Sequence, residues 1–338
     1  MKTSTELKKE STYKRPITFL FSWRPFSIYE LISYALMYAS VPMLAYGIKT
    51  YNSEIVKIII LTVLTLYSGF FAALIWNDLT DRDIDKIVHP KRPTAEGSIS
   101  FKKFFSVALV FSALTFIFAI LVSVWCLILV GAAALFVTFH NKYMKKIVRF
   151  PAYSEIFTPI QWIIVAIFGF FAIWTTSLSS GNIIISFPLF GYISFQSIDF
   201  QNMIILVLFT YFADNAHDLP EGIHDVKGDR ALGVKTYATS FGEKNAAKIS
   251  FAMFFVSGIF GILLYLRTIL TPIFLIPFLI FWIYILYCSH KLIKSDKKNI
   301  KEMGKIIGRK GFNYFLFSYN LIFLDVLIQV LNFHYNII

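Results

Sequence analysis

Apolar runs of some twenty residues recur along the 338-residue chain, with short polar intervals between them. A transmembrane helix needs about 20 mostly apolar residues. On that criterion the pattern predicts nine spans, at 27–48, 56–76, 104–122, 124–140, 157–176, 200–217, 248–266, 270–289 and 313–334. The unbroken run from Phe104 to His140 is long enough for two helices joined by a tight turn. The stretch "SLSSGNIIISFPLFGYISF" (177–195), interrupted by Ser, Gly and Pro, is expected to be a loop or interfacial segment on the non-cytoplasmic side.

Composition agrees with this reading. The chain is 57% hydrophobic and 15% charged, has 37 phenylalanines and has a mean hydropathy of +0.65, which excludes an ordinary soluble surface. The first apolar run, beginning near Phe26, has no small-residue cleavage pattern and is too long for a signal peptide, so it is expected to remain as a span. The expected organisation is an N-terminal cytoplasmic segment, 1–26, followed by a single transmembrane domain, 27–338. Cys126 and Cys288 lie inside apolar stretches and are expected to be buried free thiols rather than metal or disulfide partners.

Charge adds an orientation. The segments 1–26, 77–103, 141–156, 218–248 and 290–312 hold 29 of the 32 Lys and Arg residues, while the opposite side holds Lys49, Lys57 and Arg267. The asymmetry predicts a multi-pass protein, in the cell (plasma) membrane, with its N-terminus in the cytoplasm and its C-terminus outside. It also accounts for the formal net charge of +12 without nucleic acid. The basic stretch 290–310 is expected to be a positive-inside loop, with anionic-lipid contact as the alternative.

The acids are distributed differently. Of 20 Asp and Glu, nine fall in two short stretches, Asp78, Asp81, Asp83 and Asp85 after the second span and Asp214, Asp218, Glu221, Asp225 and Asp229 at the end of the sixth. Both stretches are expected on the cytoplasmic side. Asn77, Asp81 and Asp85 recur every four residues, as do Glu221, Asp225 and Asp229, so on helices each set lies along one face at about 6 Å intervals. Closely spaced carboxylates repel one another unless cations sit between them. Oxygen donors without a His or Cys cluster suit Mg2+, whose coordination phosphate oxygens commonly complete. Nearby Lys91, Arg92, Lys145, Lys146, Arg149, Arg230 and Lys235, with Tyr143, would cradle a diphosphate and stabilise the charge that develops as it leaves. No Gly-rich phosphate loop is present. A diphosphate carrying a long apolar tail, such as an isoprenyl diphosphate, fits both the acids and the apolar spans. Ionisation of its carbon–oxygen bond would give an allylic cation that aromatic faces can stabilise.

These residues resemble the UbiA-type intramembrane prenyltransferases. Asn77, Asp78, Asp81 and Asp85 match the family's Asn-Asp-x-x-Asp-x-x-x-Asp motif, and "HPKRP" follows it with His89 in place of Asn. "EGIHDVKGDRALGVKT" matches the second motif, Asp-x-x-Gly-Asp-Arg followed by Gly-x-x-Thr. Arg24 and Pro25 entering the first span, and Tyr143 and Lys146 after the fourth, extend the similarity over nearly the whole chain.

The resemblance implies an all-α bundle of nine transmembrane helices around a central cavity with a lateral opening, capped by the two motif loops. It implies Mg2+-dependent transfer of an isoprenyl chain from a prenyl diphosphate to a lipophilic acceptor, aromatic or isoprenoid, with no obligate protein partner. Two or more Mg2+ ions would be held, one by Asn77, Asp81 and Asp85 and another by Asp225 and Asp229, with Glu221 as a further candidate ligand. Lys91, Arg92, Lys146 and Arg230 would bind the diphosphate, and Asp78, Asp218 and Tyr143 are the candidate catalytic residues. Departures from the pattern are Glu221, where many members have Asn or Lys, and Pro220, which interrupts an expected helix and leaves the placement of Asp214 and Asp218 open. His217 and His224 are expected to be polar cap residues, with catalytic bases as the alternative. Glu30, Asp199 and Asp325 lie in or near apolar runs, where ionisable groups suggest function. Asp325 is expected to be a buried hydrogen-bonded residue, the alternative being a base facing the cavity. A membrane-bound terpene cyclase working without an acceptor is the competing activity. A cation transporter would instead place acids near the middle of the spans.

Overall fold

The computed structural model describes residues 26–80, 82, 97, 99–144, 147–179, 181–188, 190–231 and 233–335. Its helices are α1 (Ile28–Tyr46), α2 (Ser53–Thr80), α3 (Phe101–Val122), α4 (Val124–Phe139), the short α5 (Tyr153–Phe157), α6 (Ile160–Trp174), α7 (Ser197–Ala231), the short α8 (Tyr237–Phe241), α9 (Glu243–Arg267), α10 (Pro272–Lys294) and α11 (Ile300–Tyr335). Each of the nine predicted spans overlaps one long helix. Among the described residues eight stretches are long and apolar enough to cross a membrane, and the segment 200–217 is not among them. That segment lies in α7, whose polar residues interrupt its apolarity; Asp214, Asn215 and His217 are nevertheless buried in the bundle. The protein is an integral membrane protein of mostly helical structure.

The expected tight turn between α3 and α4 is the single residue Ser123. It ends α3, and its hydroxyl caps α4 by accepting from the Cys126 N–H at 3.1 Å while Thr175 Oγ1 donates to it at 2.7 Å. The stretch 177–195, expected to be a loop, holds an antiparallel hairpin of β1 (Ile183–Phe187) and β2 (Gly191–Phe195), with Ile185 opposite Ile193. Its β-branched and aromatic residues suit a strand, and aromatic rings fasten it to the bundle, with Trp125 4.5 Å from Phe187 and Trp174 4.9 Å from Phe195. Cys126 and Cys288 are buried and free, as expected.

Contacts along the helices fix their direction. Ser177 donates to Glu54 at the start of α2, and Trp174 stacks on Phe200 near the start of α7, so both helices set out from the hairpin end. Phe70 of α2 packs on Tyr34 of α1 at 4.7 Å, Tyr34 on Trp162 of α6 at 5.9 Å and on Phe312 of α11 at 6.3 Å, and Phe312 on His217 of α7 at 5.1 Å. Five helices thus contribute to one aromatic layer. Asn77 and Asp78 lie about two turns beyond Phe70, and Asp218 follows His217 directly, so the acidic ends of α2 and α7 emerge together, beyond the layer and opposite the hairpin.

Candidate active site

Both motif helices run further than their apolar spans. α2 continues to Thr80, so Asn77 and Asp78 belong to its last turn, and α7 carries every acid from Asp214 to Asp229 on one continuous helix. Pro220 does not break it. A proline has no N–H to bond the carbonyl four residues back, here that of Ala216. Ser250 Oγ of α9 donates to that carbonyl instead, at 2.7 Å, in a fully buried contact. Neighbouring side chains commonly satisfy backbone groups freed in this way. α7 ends in a reversing turn where Val234 N bonds Asp229 O and Gly233 N bonds Arg230 O. Gly233 sits there at φ +70°, a conformation that glycine adopts without steric cost.

At 100° per residue, Asp214, Asp218, Gly222, Asp225 and Asp229 share one stripe of α7, with Glu221 at its edge. Asp214 is fully buried, Asp218 and Asp229 are half-buried and Asp225 is exposed. His217 stands between two acids, Nε2 at 3.0 Å from Asp214 Oδ1 and Nδ1 at 3.4 Å from Asp218 Oδ1. One ligand atom from each of these three residues lies within 4.8 Å of the other two. Glu221 turns toward α11, where a Cβ on Gly308 would lie 2.4 Å from its Cγ. His224 also faces α11, with Nδ1 3.3 Å from Lys301 O. Among the expected ligands, Asp225 and Asp229 therefore line the stripe while Glu221 leans off it. Arg230 is exposed at the C-terminal turn of α7.

On α2, Asp78 is 1% exposed, and Asn77 Oδ1 is buried without a hydrogen-bond donor. A buried amide oxygen that accepts nothing fits a cation ligand. Asp81, Asp83, Asp85, His89, Lys91, Arg92, Lys145 and Lys146 lie outside the described residues, as do Arg24 and Pro25. Tyr143 is in a π-turn, His140–Met144, that follows α4; it is 44% exposed, packing on Phe139, with Lys142 5.2 Å above its ring.

The connection between α4 and α6 docks on the far side of the second motif. Ala152 N donates to Ser240 Oγ at 2.9 Å, Ser154 N to Lys235 O at 3.1 Å, and the Tyr237 N–H to Glu155 Oε2. Lys235 is thus tied through its backbone. Burial, with Tyr211 and Glu155 nearby, pushes the Tyr237 hydroxyl up to about 12, so it stays protonated at neutral pH. Glu155, which no sequence motif singles out, is itself buried against α7.

The other membrane-depth acids are accounted for by contacts. Asp325 is fully buried and accepts four bonds: Oδ2 from the N–H groups of Thr271 and Phe274 at 2.7 and 3.1 Å, and Oδ1 from Thr271 Oγ1 and Gln329 Nε2, both at 2.8 Å. It caps α10, as the hydrogen-bonded reading expects. Glu30 forms a capping box with Ser27 and pairs with Arg309 Nη2 at 2.9 Å, and Asp199 accepts from Gln196 N.

Two oxygen-rich helix ends thus lie on one side of an aromatic layer in a bundle of membrane helices. The UbiA prenyltransferase family matches residues 36–304, most of the chain, and the protein belongs to that family. It is 26% identical over 249 residues to the digeranylgeranylglyceryl phosphate synthase of Methanobrevibacter smithii, covering 74% of this chain and 81% of that one. Its fold is shared with a UbiA homolog from Aeropyrum pernix K1 solved in the apo state (TM-score 0.64, 17% identity, 90% of this chain and 99% of that one). A UbiA homolog from Archaeoglobus fulgidus, solved with DMAPP and Mg2+, also shares it (TM-score 0.55, 15% identity, 86% and 96%).

Proposed function

We propose that this prenyltransferase moves an isoprenyl chain from a prenyl diphosphate to a lipophilic acceptor, with two or more Mg2+ ions bound between the acidic ends of α2 and α7 on the cytoplasmic side of a nine-span bundle. The observation that carries the reading is that both acidic ends lie on one side of the aromatic layer, with Asn77 Oδ1 buried and without a donor. Asn77, Asp81 and Asp85 would hold one ion, and Asp225 and Asp229 another, with Glu221 at the margin. Bound Mg2+ would neutralise the diphosphate so that its carbon–oxygen bond ionises. Lys91, Arg92, Lys146 and Arg230 would hold the departing diphosphate, with Asp78, Asp218 and Tyr143 ordering the reacting groups. Tyr34, Phe70, Trp162 and Phe312 would face the allylic cation and exclude water from it. The ligands in the Archaeoglobus homolog support the donor class. The name of the Methanobrevibacter relative makes a glyceryl phosphate lipid the first acceptor to test, beside aromatic ones.

The test is turnover of labelled geranyl, farnesyl and geranylgeranyl diphosphates by purified protein, with and without host lipid extract. Transfer is expected only with acceptor and Mg2+ present, and is abolished by Asp81→Ala or Asp225→Ala. Full activity in either variant refutes the metal assignment. Release of cyclised hydrocarbon or alcohol without acceptor would favour a cyclase.

A further inference from the structure

The outward face of α10 changes character toward the end of the helix. Ile280, Ile283, Tyr284, Tyr287 and Lys291 are all exposed, and at 100° per residue they share one side of it. Apolar side chains thus give way to tyrosine and then to lysine, the order that matches acyl chains, interface and charged headgroups in a bilayer. Lys310 of α11 joins this face. Its Nζ donates to Tyr284 Oη at 2.8 Å, lies 3.7 Å from Cys288 Sγ and is 5.1 Å from the centre of the Tyr284 ring, while Lys291 Nζ stands 4.4 Å above the ring of Tyr287. Cys288 is one turn from both Tyr284 and Lys291, so the two ammonium groups address one patch. Their charges act on each other. Nearby Lys301 and Arg309 pair with Glu243 and Glu30, whereas neither Lys291 nor Lys310 has an acidic partner among the described residues. A Cβ on Gly311 would lie 2.7 Å from His217 Cβ, which sets this part of α11 level with the point where α7 passes from apolar to acidic sequence. Two cations side by side at the edge of an apolar span repel one another unless an anion lies between them.

We propose that the outward face of α10, together with Lys310 of α11, binds an anionic phospholipid in the leaflet on the side of the acidic helix ends. The lipid phosphate lies between Lys291 and Lys310, Tyr284 and Tyr287 flank its glycerol esters, and an acyl chain runs along Ile283 and Ile280. Basic pockets between membrane helices are suited to such headgroups. The lipid would bridge α10 and α11, so it would hold the last two helices together without touching the acids of α2 and α7.

The test titrates the full-length protein in detergent with dioleoyl phosphatidylglycerol or dioleoyl phosphatidylcholine and counts retained lipids by native mass spectrometry. Tighter retention of phosphatidylglycerol is expected. Lys291→Gln and Lys310→Gln should each weaken it about fivefold and the double variant about thirtyfold, on a scale of about 1 kcal/mol for each lysine beside an anionic surface, with phosphatidylcholine unaffected. Lys297→Gln with Lys298→Gln removes the same charge from the turn between α10 and α11 and should leave retention at the wild-type value. Thermal unfolding without added lipid reports whether each variant folds. Lys291 is exposed and lies outside the core, so its single variant decides the matter if Lys310→Gln does not fold. Equal retention of the two lipids, or no loss in the Lys291 and Lys310 variants, overturns the inference. An equal loss in the Lys297 and Lys298 variant also overturns it, because attraction is then spread over the basic surface. Displacement of phosphatidylglycerol by millimolar inorganic phosphate would make the patch a site for a soluble anion and overturn the assignment to a lipid.

Discussion

Ser250→Ala isolates the contact that lets the acidic helix run straight. In the wild-type protein the Ala216 carbonyl, denied its helical donor by Pro220, accepts from Ser250 Oγ at 2.7 Å, and both residues are fully buried. Removing the hydroxyl leaves a buried carbonyl unsatisfied, at a cost of about 1–3 kcal/mol, and changes the side-chain volume too little to add a sizeable cavity. With an unfolding entropy of about 2.1 cal/mol/K per residue, a chain of this length loses about 1.5 °C of Tm per kcal/mol, so the expected fall is about 1.5–4 °C. Scanning fluorimetry on detergent-purified protein measures it. The diagnostic comparison is a double-mutant cycle with Pro220→Ala, which restores an N–H four residues after Ala216. In that background Ser250→Ala should cost less than half as much, because the carbonyl already has its donor. Equal cost in the two backgrounds would refute the argument that Ser250 stands in for the missing backbone bond. A functional corollary follows from position. Pro220 separates Asp218 from Glu221, Asp225 and Asp229, so a bend there re-aims the lower acids, and Ser250→Ala should weaken Mg2+ binding in proportion to its loss of stability.

Asp325→Asn puts an amide NH2 against a site built from donors; a loss of about 3 kcal/mol or more in stability is expected, with turnover per folded molecule retained at temperatures below the transition. Loss of turnover in a fully stable variant would instead make Asp325 a base. Arg309→Ala leaves the buried Glu30 with Ser27 alone, but the half-exposed arginine is screened, so the expected cost is about 1 kcal/mol, read as a small shift in Tm that shrinks with added salt. Gly258→Leu has no room, since even a Cβ would lie 1.8 Å from Trp282, whose Nε1 donates to Phe254 O; separation of α9 from α10 and poor recovery of folded protein by size-exclusion chromatography are expected.

Hydropathy placed every long helix because the bilayer imposes a length on apolar runs, and it failed where helices continue into charged sequence. Nothing apolar marks the last turn of α2, the acidic half of α7 or the start of α11, and only the four-residue spacing of the acids pointed to helix in the first two; in the structure all three continue membrane helices. Most of the site lies on those extensions, so its acids were legible as a pattern while its support was not. Pro220 is the sharpest case. Local rules make it a helix breaker, and only Ser250, distant in sequence, explains why it is not. Asp325 could be read from sequence as either a base or a buried partner, and the capped terminus of α10 decides between them. Glu155 carried no signal at all, as a single acid between an aromatic pair and an apolar run. Its place is set only when the loop before α6 docks against the turn after α7 and brings its carboxylate to Gly222, the one residue on the acidic stripe with no side chain. A repeat of acids every four residues is visible to a reader of sequence; a carboxylate that another element packs against that repeat requires the fold.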